Sequence, residues 1–236
     1  MIYKTKIAEI GDGDDWFEKK HSGDIVSEYF AEAKRKTIIT VQHTQSVHHI
    51  NGHIGAWGDF ELTPSGHEHA YAIGRWLEHI GFGSGDTMYV SDLKRAAQTA
   101  EEINKTLGIK PIVTDVLREI NAGAGNGQTV EWYREHKAPQ GVIYDPDYLP
   151  FPDAESDRDL WVRLFSFARE LFESDAERIV VVSHGTALSI LHMLLLGLEL
   201  EDRAHFRFHG SAGSVSCFHT EPDGRISVEY INRPIG

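Results

Sequence analysis

Ser91-Asp92-Leu93-Lys94-Arg95-Ala96-Ala97-Gln98-Thr99-Ala100 begins at the polar end of a short apolar run, Thr87 to Ser91. Two other runs finish the same way: Thr37-Ile38-Ile39-Thr40-Val41-Gln42-His43-Thr44-Gln45-Ser46 and Ile179-Val180-Val181-Val182-Ser183-His184-Gly185. Each is apolar and β-branched until a polar side chain stops it, as in strands of an α/β sheet. Ligands of such sheets bind in the crevice at the carboxyl ends of the strands. Two histidines and an arginine delivered there make a site for an anion.

Outward from these runs, helical and extended patterns alternate. Thr63 followed by Pro64 reads as an N-cap with proline at the first helical position, opening a helix through about His79. Leu93 to Leu107 is a helix closed by Gly108, Pro111 to Val116 a strand, and Ser156 to Glu173 an amphipathic helix. Arg178 to Ser183 is a strand leading into a helix from Gly185 to Leu196. Ser214 to His219 and Arg225 to Ile231 form a closing hairpin around Pro222-Asp223-Gly224. The stretch from Val47 to Phe60 is irregular and rich in His and Gly. Asn121 to Asp153 is irregular too, with a short helical piece near Val130 to His136, and its length suggests a lid or pocket wall. The expected fold is one α/β domain over residues 37–236, a mainly parallel sheet with helices on both faces. Residues 1–36 form an N-terminal extension packed on that domain. Met1 to Ile10 form a short strand, Gly11 to Asp15 an acidic turn, and Ile25, Val26, Tyr29, Phe30 and Ala33 one face of a helix.

Leu62-Thr63-Pro64-Ser65-Gly66 and Leu117-Arg118-Glu119 complete an ordered set with the three strand ends. In order and spacing, from Thr37 to Asn232, the set resembles the histidine phosphatase superfamily, the phosphoglycerate mutase-like proteins. Their pattern is Arg-His-Gly-Glu/Gln-Thr/Ser, Leu-Thr-x-x-Gly, Ser-x-Leu-x-Arg-Ala-x-Gln-Thr-Ala, Leu-x-Glu and Ser-His-Gly. This chain departs from it at the first motif: Gln42 stands in place of arginine, Thr44 in place of glycine, and His49 in place of the next asparagine.

The resemblance implies a phosphoglycerate mutase-like fold and a phosphatase acting on a small phosphorylated metabolite through a phosphohistidine on His43. A neutral imidazole is a good nucleophile, and a protonated one a good leaving group. By the same resemblance, His184 is a phosphate ligand that gains from protonation beside the anion. Arg95 grips two phosphoryl oxygens, and Glu119 is the general acid and then the base that activates water. Gln42, Thr44, Ser46, His49 and Gly185 are assigned to substrate binding. Gln42 brings no charge, so Lys94, Arg118, Arg207 and neighbouring histidines are candidate replacement cations. A phosphoglycerate-type mutase is one alternative, against which count a longer insertion in the mutases and the missing arginine. A degenerate member that binds phosphate ligands without efficient turnover is another.

The formal charge of −13 argues against nucleic acid or an anionic membrane surface as partner. No apolar run approaches the ~18 residues of a membrane span, and the first residues lack a signal-peptide core, so the expected location is cytoplasmic. A homodimer is left open. The single cysteine, Cys217, excludes an intramolecular disulfide and a thiolate metal cluster. His43, His48, His49 and His53 are closely spaced, but no carboxylate or cysteine accompanies them at metalloenzyme spacing. They read as a substrate-lining or solvated loop, with no metal and no cofactor expected. Trp57, Phe60, Trp132, Tyr133, Tyr144, Tyr148 and Phe151 either border the pocket or anchor its loops.

Overall fold

The computed structural model describes residues 35–221 and 225–235; the expectations for residues 1–34 and for the Pro222-Asp223-Gly224 turn lie outside them. Its six strands are β1 (Thr37–Gln42), β2 (Thr87–Ser91), β3 (Ile112–Thr114), β4 (Arg178–Ser183), β5 (Val215–Thr220) and β6 (Ile226–Arg233). They form one sheet in the order β3-β2-β4-β1-β5-β6. The four strands from β3 to β1 are parallel, and β5 and β6 are antiparallel additions at the β1 edge. The helices are α1 (Val47–Asn51), α2 (Pro64–His79), α3 (Lys94–Leu107), α4 (Val130–His136), α5 (Asp157–Glu173) and α6 (Gly185–Leu196).

The strands read as near-continuous apolar runs because both faces are covered. Ile38, Ile179 and Val181 point into a core shared with Leu160 and Leu164 of α5 and Leu188 and Leu191 of α6. Their neighbours Ile39, Val41, Val180 and Val182 point the other way, onto Ile73 and Leu77 of α2 and Ala96 and Ile103 of α3. These side chains are buried, and each valine, leucine or isoleucine among them is worth about 1.5–3 kcal/mol of transfer free energy. Because β1 and β4 are central and adjacent, Gln42 pairs with Ser183, and the two histidines that follow emerge side by side.

Three expectations change. The run from Pro111 to Val116 keeps strand geometry for Ile112–Thr114 and then tightens into a 3-10 turn, Asp115–Leu117, where Thr114 Oγ1 accepts from Val116 N. Val47 to Phe60 is not wholly irregular: α1 occupies its start and ends at Gly52, in the left-handed conformation that suits glycine. The last strand runs to Arg233, past Ile231.

Candidate active site

The residues after β2 each have a distinct task. The Lys94 N–H at the start of α3 is capped by Asp59 Oδ1 at 2.7 Å. Arg95, one residue on, is 1% exposed and turned inward. Ala96 and Ala100 are small enough for α3 to lie close on the sheet. Gln98 Oε1 accepts from Leu62 N at 2.8 Å, and Thr99 Oγ1 accepts from Thr44 N at 3.2 Å. The motif therefore aims an arginine and ties down the loops on either side of it. The Gly66 of Leu-Thr-x-x-Gly serves the same loop: a Cβ there would overlap the Gln45 carbonyl oxygen, and Gly66 O accepts from Thr44 Oγ1 at 2.8 Å.

His43 is held at both ring nitrogens. Nδ1–H donates to its neighbour's carbonyl, Thr44 O, at 2.8 Å, which leaves the lone pair on Nε2. That Nε2 accepts from Arg95 Nε at 3.1 Å. Arg95 spends two further N–H groups on the Gly58 and Ala56 carbonyls, at 2.8 and 2.7 Å. Of the five donors on a guanidinium, two remain for an incoming anion. The His184 ring lies 5.1 Å from that of His43. Its Nε2 shares a hydrogen bond with Ser91 Oγ at 2.8 Å, while its buried Nδ1 has no hydrogen-bond partner among the described residues.

Glu119 is positioned by backbone. Its Oε1 accepts from Ile120 N and Ala187 N, and its Oε2 from Thr186 N, all at 2.8–3.0 Å. Two of these donors are orphan amides of the first turn of α6, where the helix dipole favours an anion. The segment bearing Glu119, after the 3-10 turn, is clamped by Arg163 of α5. This arginine, 7% exposed, donates to the Val116, Arg118 and Glu119 carbonyls and pairs with Glu155 at 2.7 Å. Trp57 Nε1 also donates to Glu119 O, at 2.7 Å.

Burial, and then the Arg95 charge, hold the His43 and His184 imidazoles well below the ordinary histidine value. His48 is pushed down to about 3 by burial, His49 and Arg95, and His49 is lowered by burial and Arg95. Burial lowers Arg95 to about 10, so it stays a cation at neutral pH. The free site therefore contains a neutral nucleophile beside a fixed positive charge. The imidazoles become better acceptors of a proton when an anion arrives.

Residues 38–233 match the histidine phosphatase superfamily, branch 1. The chain belongs to that superfamily. It is 30% identical to the 2,3-bisphosphoglycerate-dependent phosphoglycerate mutase of Cytophaga hutchinsonii over 204 residues, covering 84% of this chain and 94% of the mutase. The fold is shared with a mycobacterial glucosyl-3-phosphoglycerate phosphatase (TM-score 0.71, 22% identity, 85% of this chain and 100% of that one). It is also shared with the alpha-ribazole phosphatase of Shigella flexneri (TM-score 0.71, 22% identity, 85% and 98%). The Cytophaga mutase aligns over nearly its whole length, so a longer insertion does not separate it from this chain.

Several residues of these motifs line a cavity of about 290 Å³. Gln42, His43, His49, Arg95, Glu119 and Gly185 line it; His184, fully buried, is not among the lining residues, though its ring is 5.1 Å from that of His43. Thr44 and Ser46, also assigned to substrate binding, are not among the residues that line it. The Thr44 hydroxyl is consumed by Gly66, and Ser46 is buried, its Oγ bonded to His48 Nδ1 and its N–H donated to His49 Nδ1. Two candidate cations are also elsewhere. Lys94 faces Glu61 at 3.4 Å, and Arg118 pairs with Asp92 and covers the Trp57 ring. Arg207 does line the cavity, together with His209 from the same loop before β5 and Arg203 from a 3-10 turn, Leu200–Ala204. Trp132, Tyr133 and Phe151 pack on one another, Tyr144 bonds Asp157 and Tyr148 bonds the Ala138 carbonyl, so these aromatics anchor the 121–153 segment. The aromatic ring at the cavity, apart from the histidines, is Phe208.

Proposed function

We propose that this chain is a metal-independent phosphomonoesterase that forms a phosphohistidine on His43 Nε2. The observation that carries the proposal is the pair of bonds on one imidazole: Nδ1–H to Thr44 O sets the tautomer, and Nε2 faces Arg95 inside the cavity. An arriving phosphoryl group takes over the Arg95 Nε–H and releases the Nε2 lone pair for attack. The N–P bond forms as the P–O bond to the alcohol breaks, and Glu119, in its protonated form, gives its proton to the departing oxygen. Water then attacks phosphorus, Glu119 takes a proton from it, and the N–P bond breaks to release phosphate. The buried Nδ1 of His184, without a partner among the described residues and on a ring 5.1 Å from that of His43, is what supports a ligand role for His184.

The mutase reading has the Cytophaga relative in its favour. Against it, a bisphosphorylated ligand needs cations for two anionic groups, and of the three arginines lining the cavity Arg207 alone is not already engaged by the contacts described above. Arg95 is already shared among His43, Ala56 and Gly58, and Arg203 is tied to Asp157 at 2.6 Å. Incubation with small phosphate esters in the presence of a chelator tests the proposal. Release of inorganic phosphate supports it. Transfer to a second hydroxyl of the substrate without net release favours the mutase, and binding without either favours a degenerate phosphate binder.

A further inference from the structure

A second chemical cluster sits at the antiparallel edge of the sheet, away from the cavity. Cys217 and His219 are two apart on β5 and so point to the same face. Glu229 comes from β6, where the register slips between the pairs Cys217–Tyr230 and Phe218–Val228. In an unbroken ladder Glu229 and Tyr230 point to opposite faces. The extra residue of this β-bulge re-aims the carboxylate onto the side of Cys217.

Three donor atoms of different kinds converge there. Cys217 Sγ lies 3.4 Å from His219 Nε2 and 3.6 Å from Glu229 Oε2, and those two lie 3.1 Å apart. Bond lengths of about 2.3 Å to sulfur, 2.0–2.1 Å to nitrogen and 2.0–2.2 Å to oxygen, at tetrahedral angles, give edges of about 3.6, 3.6 and 3.4 Å. The triangle already matches one face of a zinc tetrahedron to within a few tenths of an ångström. The arrangement is not a nucleophile–base–acid relay: sulfur and carboxylate meet the same ring nitrogen, and Nδ1 is bonded to Thr37 Oγ1 at 3.1 Å. With Nδ1–H donated to Thr37, the Nε2 lone pair faces the other two ligands, the arrangement that a hydrogen bond on the far ring nitrogen gives a metal-bound histidine.

We infer that Cys217, His219 and Glu229 form a binding site for one tetrahedral transition-metal ion of the zinc type, pinning β6 to β5. The sites are chemically distinct: the cavity clusters imidazoles around a cation, whereas this one offers a thiol and a carboxylate with an imidazole between them. Binding forms a metal–sulfur bond as the Cys217 S–H proton leaves to buffer, so one proton is released per ion. Thiolate and carboxylate then balance a divalent charge. The carboxylate end is open, the Glu229 side chain being 59% exposed, so solvent can supply the fourth ligand.

The test uses the full chain and Co²⁺ alone as probe. Because Cys217 is the chain's one cysteine, any sulfur-to-cobalt charge-transfer band reports this site and not the cavity histidines. The expected result is a band that saturates at one equivalent, is erased by Zn²⁺ and is absent from Cys217→Ser. Affinity should fall at least tenfold in His219→Gln and in Glu229→Gln. Glu229→Gln changes an exposed side chain and leaves folding, checked by circular dichroism, intact. No band in the wild type, or a band of unchanged affinity in Glu229→Gln, would overturn the inference.

Discussion

Replacing Glu119 by Gln separates its two tasks, holding the start of α6 and moving a proton. The wild-type carboxylate accepts three backbone N–H groups, two on Oε1 and one on Oε2. If the amide oxygen of Gln keeps the Oε1 position, two bonds survive without charge assistance, each weakened by about 0.5–1.5 kcal/mol. The amide NH₂ then faces the Thr186 N–H, and that lost bond costs about 1–3 kcal/mol. Unfolding in urea should therefore show a loss of about 2–6 kcal/mol, with the fold retained. Kinetically, a missing general acid lowers turnover by about 10²–10⁴. The drop should depend on the leaving group: severe for an alkyl phosphate, whose alkoxide needs the proton, and mild for p-nitrophenyl phosphate, whose phenolate leaves unaided. Equal losses on both esters in kcat/KM, which reports phosphoryl transfer to His43 and not the later hydrolysis, would refute the proton-donor role.

Gln42→Arg should raise kcat/KM for a small phosphate ester by roughly tenfold, about 1.4 kcal/mol, by adding charge beside the phosphoryl oxygens; a clear loss with the fold intact would mean that Gln42 belongs to a rebuilt pocket in which Arg207 already supplies that charge. Gly66→Ala should destabilise by about 1–3 kcal/mol because its methyl meets the Gln45 carbonyl, and an unchanged melting temperature would contradict that packing. Stability should also fall on acidification. His43, His184 and His192 are held low by burial when folded, while an unfolded histidine titrates near about 6.5. Below that pH the unfolded chain binds protons that the folded one does not, so each histidine removes up to about 1.4 kcal/mol per pH unit. For His192 the loss flattens near its folded value of about 3. Urea midpoints that stay level from pH 7 to pH 5 would refute this.

Most of the fold was legible because its signals are local. β-branched runs, Thr63-Pro64, Gly108 and the period of α5 each act within a few residues, and His43, Arg95, Glu119 and His184 follow strand ends whose placement a parallel sheet dictates. The position of Thr44 in the motif says nothing of which way its hydroxyl turns. The burial of Thr44 and its bond to Gly66 are decided by α2 closing on the loop. Helix α1 was missed since its His-rich sequence has no apolar stripe. Arg203 and His209 reach the cavity through the path of the chain after α6, which no periodicity encodes. The Cys217–His219–Glu229 cluster needs a bulge, and the chain shows it as three residues of unrelated spacing.

The central claim concerns a bond between His43 and phosphorus. The direct measurement is a rapid alkaline quench of the chain turning over a phosphate ester in excess chelator, followed by peptide mapping. One acid-labile phosphoryl group on the His43 peptide, formed and lost at rates that match turnover and absent with phosphate release from His43→Ala, is the predicted result. Turnover that persists in His43→Ala, or a wild type that hydrolyses the ester with no labelled histidine, would contradict the account.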